Sequence, residues 1–320
     1  MIAYAERASK DAEALIGKTI KSALQHARVD AEEDVAIVVP ANLGVLPINL
    51  SGIFGSAPSL GEDYQLHFAD SLRSFWNSQR RVQEYSAHEA SIAIITGEVP
   101  VPDLRYLPFE VACVADFFAH KRKVAVSSCD DPQRVLESLD GTDYWHITSH
   151  AAWDFVDPSQ SGVALTHNLT LTVDDVLRLK LEHPPRLVFL SACETALFDL
   201  RGSLNHFVGL STAFLAAGAA CVIGSLWPVS DAATALLSVK FYEEHISRKR
   251  VPADALLRAQ QWLRETTALG FQSYVSEKAA LDQSAVQAAA ALSGFLANLV
   301  ADYRPFQHAY FWGGFQLYGT

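Results

Sequence analysis

His150 and Cys193 are the two residues of this chain whose side chains could together open a peptide bond. His150 follows the apolar run at 144–149, and Cys193 follows another at 186–192. Short continuous apolar runs of this kind read as buried strands, so each residue sits where a strand gives way to a loop. In open parallel α/β sheets, ligands bind outside the carboxyl ends of the strands. If the two strands are neighbours, an imidazole that can take a thiol proton faces a thiolate that can attack a carbonyl.

The pattern around them supplies the strands and helices that such a site needs. Residues 4–28 read as an amphipathic helix, 34–40 as a buried strand ending at Pro40, and 41–66 as an irregular stretch rich in Gly, Pro, Ser and Asn. A helix is expected over 67–84 and a strand over 91–96. A helix over 109–120 follows, with Pro108 at its first position. Strand 123–128 and helix 132–139 lead to the His150 strand. Strand 162–166 and helix 173–179 then lead to the Cys193 strand. Helix 203–217, strand 221–226, helices 231–245 and 253–267, an Ala-rich helix around 276–302 and a strand over 311–318 complete the order. Alternation of this kind predicts a mostly parallel sheet with helices on both faces. The chain divides at 98/99 into an N-terminal helical and strand part, 1–98, and the larger part that carries the dyad, 99–320.

Composition narrows the class of function. Half of the 320 residues are hydrophobic and 19% are charged, which is a globular balance with a sizeable core. A net charge of −11 argues against direct nucleic-acid binding and against an anionic membrane surface. The only basic clusters, 121–123 and 248–250, are three residues long. The uncharged stretch 207–230 is long enough to raise a membrane span, but Gly209, Gly218 and Gly224 break it, so it reads as a buried helix followed by a strand. Cys113, Cys129, Cys193 and Cys221 form no CxxC pair. With a charged N-terminal segment, that pattern predicts a reducing, cytoplasmic setting. No GxSxG elbow occurs, which sets aside an α/β-hydrolase serine nucleophile.

A set of motifs then runs in one order: HITSH at 146–150, Asp157-Pro158, SGVAL at 161–165, LVFLSACETA at 187–196, Gly209-Leu210, AFLAAGA at 213–219, VIGSLWPV at 222–229 with Asp231, Phe241-Tyr242, HAYFW at 308–312 and FQLYG at 315–319. This order closely resembles the CHAT family, the caspase-like peptidase domains related to separase and often joined to tetratricopeptide repeats. The resemblance covers about residues 30–320 and is densest from 100 onward. It implies a caspase–haemoglobinase α/β fold and a His–Cys dyad, which maps onto His150 and Cys193. The spacing agrees, with His150 lying 43 residues before Cys193, close to the caspase separation of about 50. The family's histidine is usually followed by Gly, whose N–H is expected to help hold the oxyanion. Here Ala151 takes that place and keeps the N–H, so the backbone donors are those of Ala151 and Cys193. The segment 197–205 lacks the glycine-rich character common in the family.

Other residues are weighed beside the dyad. Asp154, Glu194, Trp227 and Asp231 are candidate substrate-pocket residues. Asp154 is equally readable as a turn residue, and Asp231 as the N-cap of the helix that follows. His146 shares strand parity with His150, but residues four apart on a strand lie about 13 Å apart, too far to share a metal ion. It reads as a hydrogen-bonded structural histidine. No metal or organic cofactor is required. The expected activity is that of a cysteine endopeptidase acting on a protein or peptide, restrained or activated by a regulatory protein or repeat domain. Loops 152–162 and 197–205 are the elements that could order on activation. The rival is a catalytically silent CHAT scaffold that holds a partner in its peptide groove.

Overall fold

A computed structural model describes residues 2–30, 34–38, 47–50, 59–69, 71–84, 90–97, 104–126, 130–152, 157–166, 168–192, 209–278 and 282–320. The strands are β1 (Asp34–Val38), β2 (Gln65–Ala69), β3 (Ser91–Gly97), β4 (His120–Val126), β5 (Tyr144–Ala152), β6 (Gly162–Ala164), β7 (Thr170–Thr172), β8 (Leu187–Ala192), β9 (Cys221–Ser225) and β10 (Phe315–Gly319). The main sheet runs β1-β2-β10-β9-β8-β5-β3-β4. β9, β8, β5, β3 and β4 are parallel to one another. β10 reverses against β9 and continues parallel to β2 and β1. The last strand of the chain therefore joins the N-terminal pair β1–β2 to the rest of the sheet.

Side-chain alternation sends successive residues to opposite faces, and each face has its own helices. On one face Trp145 meets Phe214 of helix Leu210–Ala217 edge-on, with ring centroids 6.2 Å apart. On the other face His146 and Phe189 pack on Tyr242 and Phe241 of helix Asp231–Tyr242. That helix is buried from Ala232 to Tyr242, so its apolar residues are spread round the axis with no amphipathic stripe, and Thr234, Ser238 and Lys240 are buried with them. Helix Leu107–Asp116 lies on the same face and buries Phe109, Val111, Val114 and, against the pattern, Glu110. Burying an aromatic such as Phe189 in this layer contributes about 1.5–3 kcal/mol.

The uncharged stretch resolves as expected where it is described: helix Leu210–Ala217, Gly218 at φ 121°, and strand β9. Among the described residues no helix is long and apolar enough to cross a membrane.

Several elements differ from the sequence reading, among them the following. Residues 67–69, expected to begin a helix, belong to β2, and the helix is Leu72–Glu84. Leu66 to Ala69 are buried on both faces, so the segment has no period-two signal to mark it off. β7 has only three residues and was not foreseen. The expected helix around 276–302 is two helices, Ala268–Glu277 and Gln283–Ala297, the second started by Asp282 accepting from the Ala285 N–H. Pro108 is the second helical residue, because the helix begins at Leu107.

Candidate active site

The parallel pairing of β5 with β8 determines what meets at the sheet edge. Tyr144 lies opposite Leu187, and the register continues through Thr148 opposite Ser191 to Ser149 opposite Ala192. That pair stops one residue short of His150 and of Cys193. Cys193 and Glu194 lie outside the described residues, as does Asp154.

At His150 the strand changes partner. β5 leaves β8 and pairs antiparallel with β6, placing His150 opposite Ala164, Ala151 opposite Val163 and Ala152 opposite Gly162. β6 pairs in turn with β7. A β-carbon on Gly162 would come 1.9 Å from the Leu171 carbonyl oxygen, so only glycine lets β6 and β7 close at this point. Thr172 ends β7 and caps helix Val173–Leu177 through a reciprocal box with Asp175, which anchors the far side of the hairpin. His150 is half-buried. Ala151 lies in extended strand, a conformation alanine adopts without strain, so the glycine of the family pattern is not needed for backbone reasons.

Below His150 the same face of the sheet is polar and closed. His146 is fully buried, with Nε2 3.1 Å from Glu110 Oε1 and Nδ1 3.5 Å from the Tyr242 hydroxyl. It is hydrogen-bonded and structural, as its distance from His150 implied. Burial holds the Tyr242 phenol well above its ordinary pKa, so it remains a donor toward Nδ1. The same Glu110 oxygen accepts from Ser191 at 2.5 Å and from Ser238 at 2.8 Å. Sequence reasoning passed over Glu110, although a lone acid in the apolar helix that holds Phe109 and Val111 was a legible signal.

Two of the pocket candidates lie among the described residues. Trp227 is 1% exposed, its indole N–H donates to the Tyr310 carbonyl at 2.9 Å, and its ring lies against Gly314. It is buried and ties the end of β9 to the C-terminal segment. Asp231 is not an N-cap, since Ser230 holds that position. Its carboxylate instead accepts from the backbone N–H of Tyr106 at 2.9 Å, and Tyr106 is the N-cap of helix Leu107–Asp116. Asp231 therefore joins the starts of two helices.

The other thiols contrast with a reactive one. Cys113 and Cys221 are buried and free; burial pushes the Cys113 thiol up to about 12 and the Cys221 thiol higher still. Neither ionises at neutral pH, so both are core residues. Cys129 lies outside the described residues.

The mostly parallel sheet with helices on both faces is a caspase-like α/β fold. The model of the CHAT domain family matches residues 8–320, and the chain belongs to that family. It is also similar to tetratricopeptide repeat protein 28 of Homo sapiens, 35% identical over 105 residues, or 33% of this chain and 4% of that protein. The mouse protein of the same name is 39% identical over 85 residues, 27% of this chain and 3% of that one. The match thus spans only a small fraction of these relatives' length. Among solved structures, the complex of Porphyromonas gingivalis RgpB pro- and mature domains has a TM-score of 0.54 at 12% identity, over 95% of this chain and 68% of that chain. The Arg-specific cysteine proteinase gingipain R gives 0.53 at 11%, over 95% and 66%. A Saccharomyces cerevisiae separase–securin complex gives 0.51 at 14%, over 71% and 14%. At such identities the likeness is one of fold.

Proposed function

We propose that this chain is a cysteine endopeptidase domain with His150 as general base and Cys193 as nucleophile. The supporting observation is the β5–β8 register. Its last pair is Ser149 opposite Ala192, so the residues that come just before positions 150 and 193 in sequence are neighbours on adjacent strands, which supports the dyad reading. Fold likeness to two cysteine-proteinase structures supports the same reading.

In this mechanism His150 takes the Sγ proton and the thiolate attacks the scissile carbonyl carbon. The charge gathers on the carbonyl oxygen, where the backbone N–H groups of Ala151 and Cys193 receive it. The imidazolium returns its proton to the leaving amine as the C–N bond breaks. Water, deprotonated by His150, then attacks the thioester, releasing the acid product and the free thiol. Asp154 and Glu194, which flank the dyad in sequence, and Trp227 and Asp231 are the candidates for substrate contacts in this reading. Residues 99–320 form the catalytic part in this reading, and 1–98 a pseudo-peptidase-like or supporting part. Activity depends on a protein partner or repeat domain, a reading supported by the similarity to tetratricopeptide repeat proteins.

Proteome cleavage profiling with wild type and Cys193→Ala, with and without candidate repeat-domain partners, tests this function. New protein termini are expected only with the wild-type thiol, and more of them with the partner present. Identical cleavage by both proteins removes the mechanism. Partner binding without cleavage under any condition favours the scaffold reading.

A further inference from the structure

We infer that Glu110 is a positioning residue that holds the ends of β5 and β8 in register for the dyad; the inference rests on the His150–Cys193 reading above. Its carboxylate is 3% exposed and a single oxygen, Oε1, receives three hydrogen bonds. Ser191 donates from β8 at 2.5 Å, two residues before Cys193. His146 Nε2 lies 3.1 Å away on β5, four residues before His150. Ser238 donates at 2.8 Å from the covering helix. His146 faces Phe189 across the strands and Ser191 faces Thr148, so the carboxylate spans the β5–β8 seam diagonally just below its open end.

A backbone ladder alone does not require such a group. The seam could be filled by apolar residues of similar volume, and buried charge clusters replaced in that way often leave stability unchanged or improved. What a buried carboxyl group with directed partners adds is geometry: each donor has one direction in which its bond is satisfied, and a strand slip would leave a buried polar group unpaired. The two strand donors lie on the segments that deliver the base and the nucleophile. The third lies on a helix that delivers neither. Tyr242, which closes the other side of the His146 ring, completes the clamp from that same helix.

The Ser238 bond supplies the control. Glu110→Gln, Ser191→Ala and Ser238→Ala each weaken bonding at the same oxygen, but only the first two loosen a dyad strand. Two readouts are compared with each variant's denaturation midpoint: amide exchange at 147–151 and 190–192, and the rate of Cys193 alkylation by a peptide chloromethyl ketone. Glu110→Gln and Ser191→Ala are expected to raise exchange at the two strand ends, leaving β3 and β9 unchanged. They should lower the maximal alkylation rate by about tenfold or more with the half-saturating concentration nearly constant. Ser238→Ala should lower the midpoint comparably with little effect on either readout. If Glu110→Gln does not fold, the contrast between the two serine variants still decides. Equal effects of both serine variants, or exchange rising evenly across the sheet, would overturn the inference. Wild-type alkylation that ignores His150→Ala overturns the peptidase reading instead, and the exchange pattern then decides by itself whether Glu110 clamps the strand ends.

Discussion

Acidification should unfold this protein partly through one histidine outside the candidate site. His245 is 5% exposed in the turn Glu243–Ser247 that ends the central covering helix. Its Nδ1 lies 2.6 Å from the Arg250 carbonyl oxygen, so Nδ1 carries the proton, and Nε2 is left to accept from the Tyr144 hydroxyl at 3.0 Å. The ring stacks on Phe241 at 24°. Burial lowers its pKa from 6.5 to about 4, with the charge of Arg186 acting the same way and the Arg250 bond acting against it. A histidine depressed in the fold binds its proton more readily when unfolded. Its contribution is therefore complete above pH 6.5 and is lost as the pH falls toward 4. At about 1.4 kcal/mol per pH unit, the whole effect is about 3 kcal/mol, of which about 2.5 kcal/mol disappears between pH 7.5 and 4.5. His245→Gln removes the titration while keeping a side chain that can donate to Arg250. Guanidinium unfolding of both proteins at pH 7.5, 6, 5 and 4.5 should show the wild type losing about 2 kcal/mol more than the variant over that range. Parallel stability–pH curves for the two would refute the reasoning. Glu243, whose pKa is held at about 2 by the Tyr274 and Lys240 bonds against the opposing effect of burial, adds most of its own loss below pH 4.5, and equally in both proteins.

Gly162→Ala should cost about 1–3 kcal/mol, because the new methyl meets the Leu171 carbonyl and β6 or β7 must shift; unchanged denaturation midpoints would contradict it. The same shift should reach His150 through its pairing with Ala164 and slow Cys193 labelling. Ala151→Gly should keep or raise turnover, since the N–H donor survives, while lowering stability by about 0.5–1 kcal/mol as glycine does in a strand. Loss of turnover in a folded Ala151→Gly protein would mean that the methyl group, not the N–H, is what the site uses.

The strands that carry the site were legible because a parallel strand buried on both faces is written as an unbroken apolar run, as at 144–149 and 187–190. Gly218 separated helix from strand in the uncharged stretch for an equally local reason, its φ of 121°. What escaped depends on partners far along the chain. Asp231 reads as a local cap until Tyr106, 125 residues away, brings its N–H to the carboxylate. Nothing local in the sequence tells that the Trp227 indole N–H donates to the Tyr310 carbonyl, 83 residues away. Glu110 reads as an ordinary helical acid until β5, β8 and the covering helix converge on one of its oxygens. β2 was absorbed into the helix that follows because burial on both faces erased its alternation.

The central claim is that His150 activates Cys193, and thiol labelling tests it most directly. Wild type, His150→Ala and Cys193→Ala would be incubated with a peptide chloromethyl ketone, alone and with candidate partners, and the modified residue located by peptide mass mapping. The account predicts modification at Cys193 in the wild type, none in Cys193→Ala, and a rate at least about a hundredfold lower in His150→Ala, the scale on which a general base contributes. The buried thiols of Cys113 and Cys221 should stay unmodified in all three while the fold persists. Labelling of Cys193 at the same rate with and without His150 would contradict the claim.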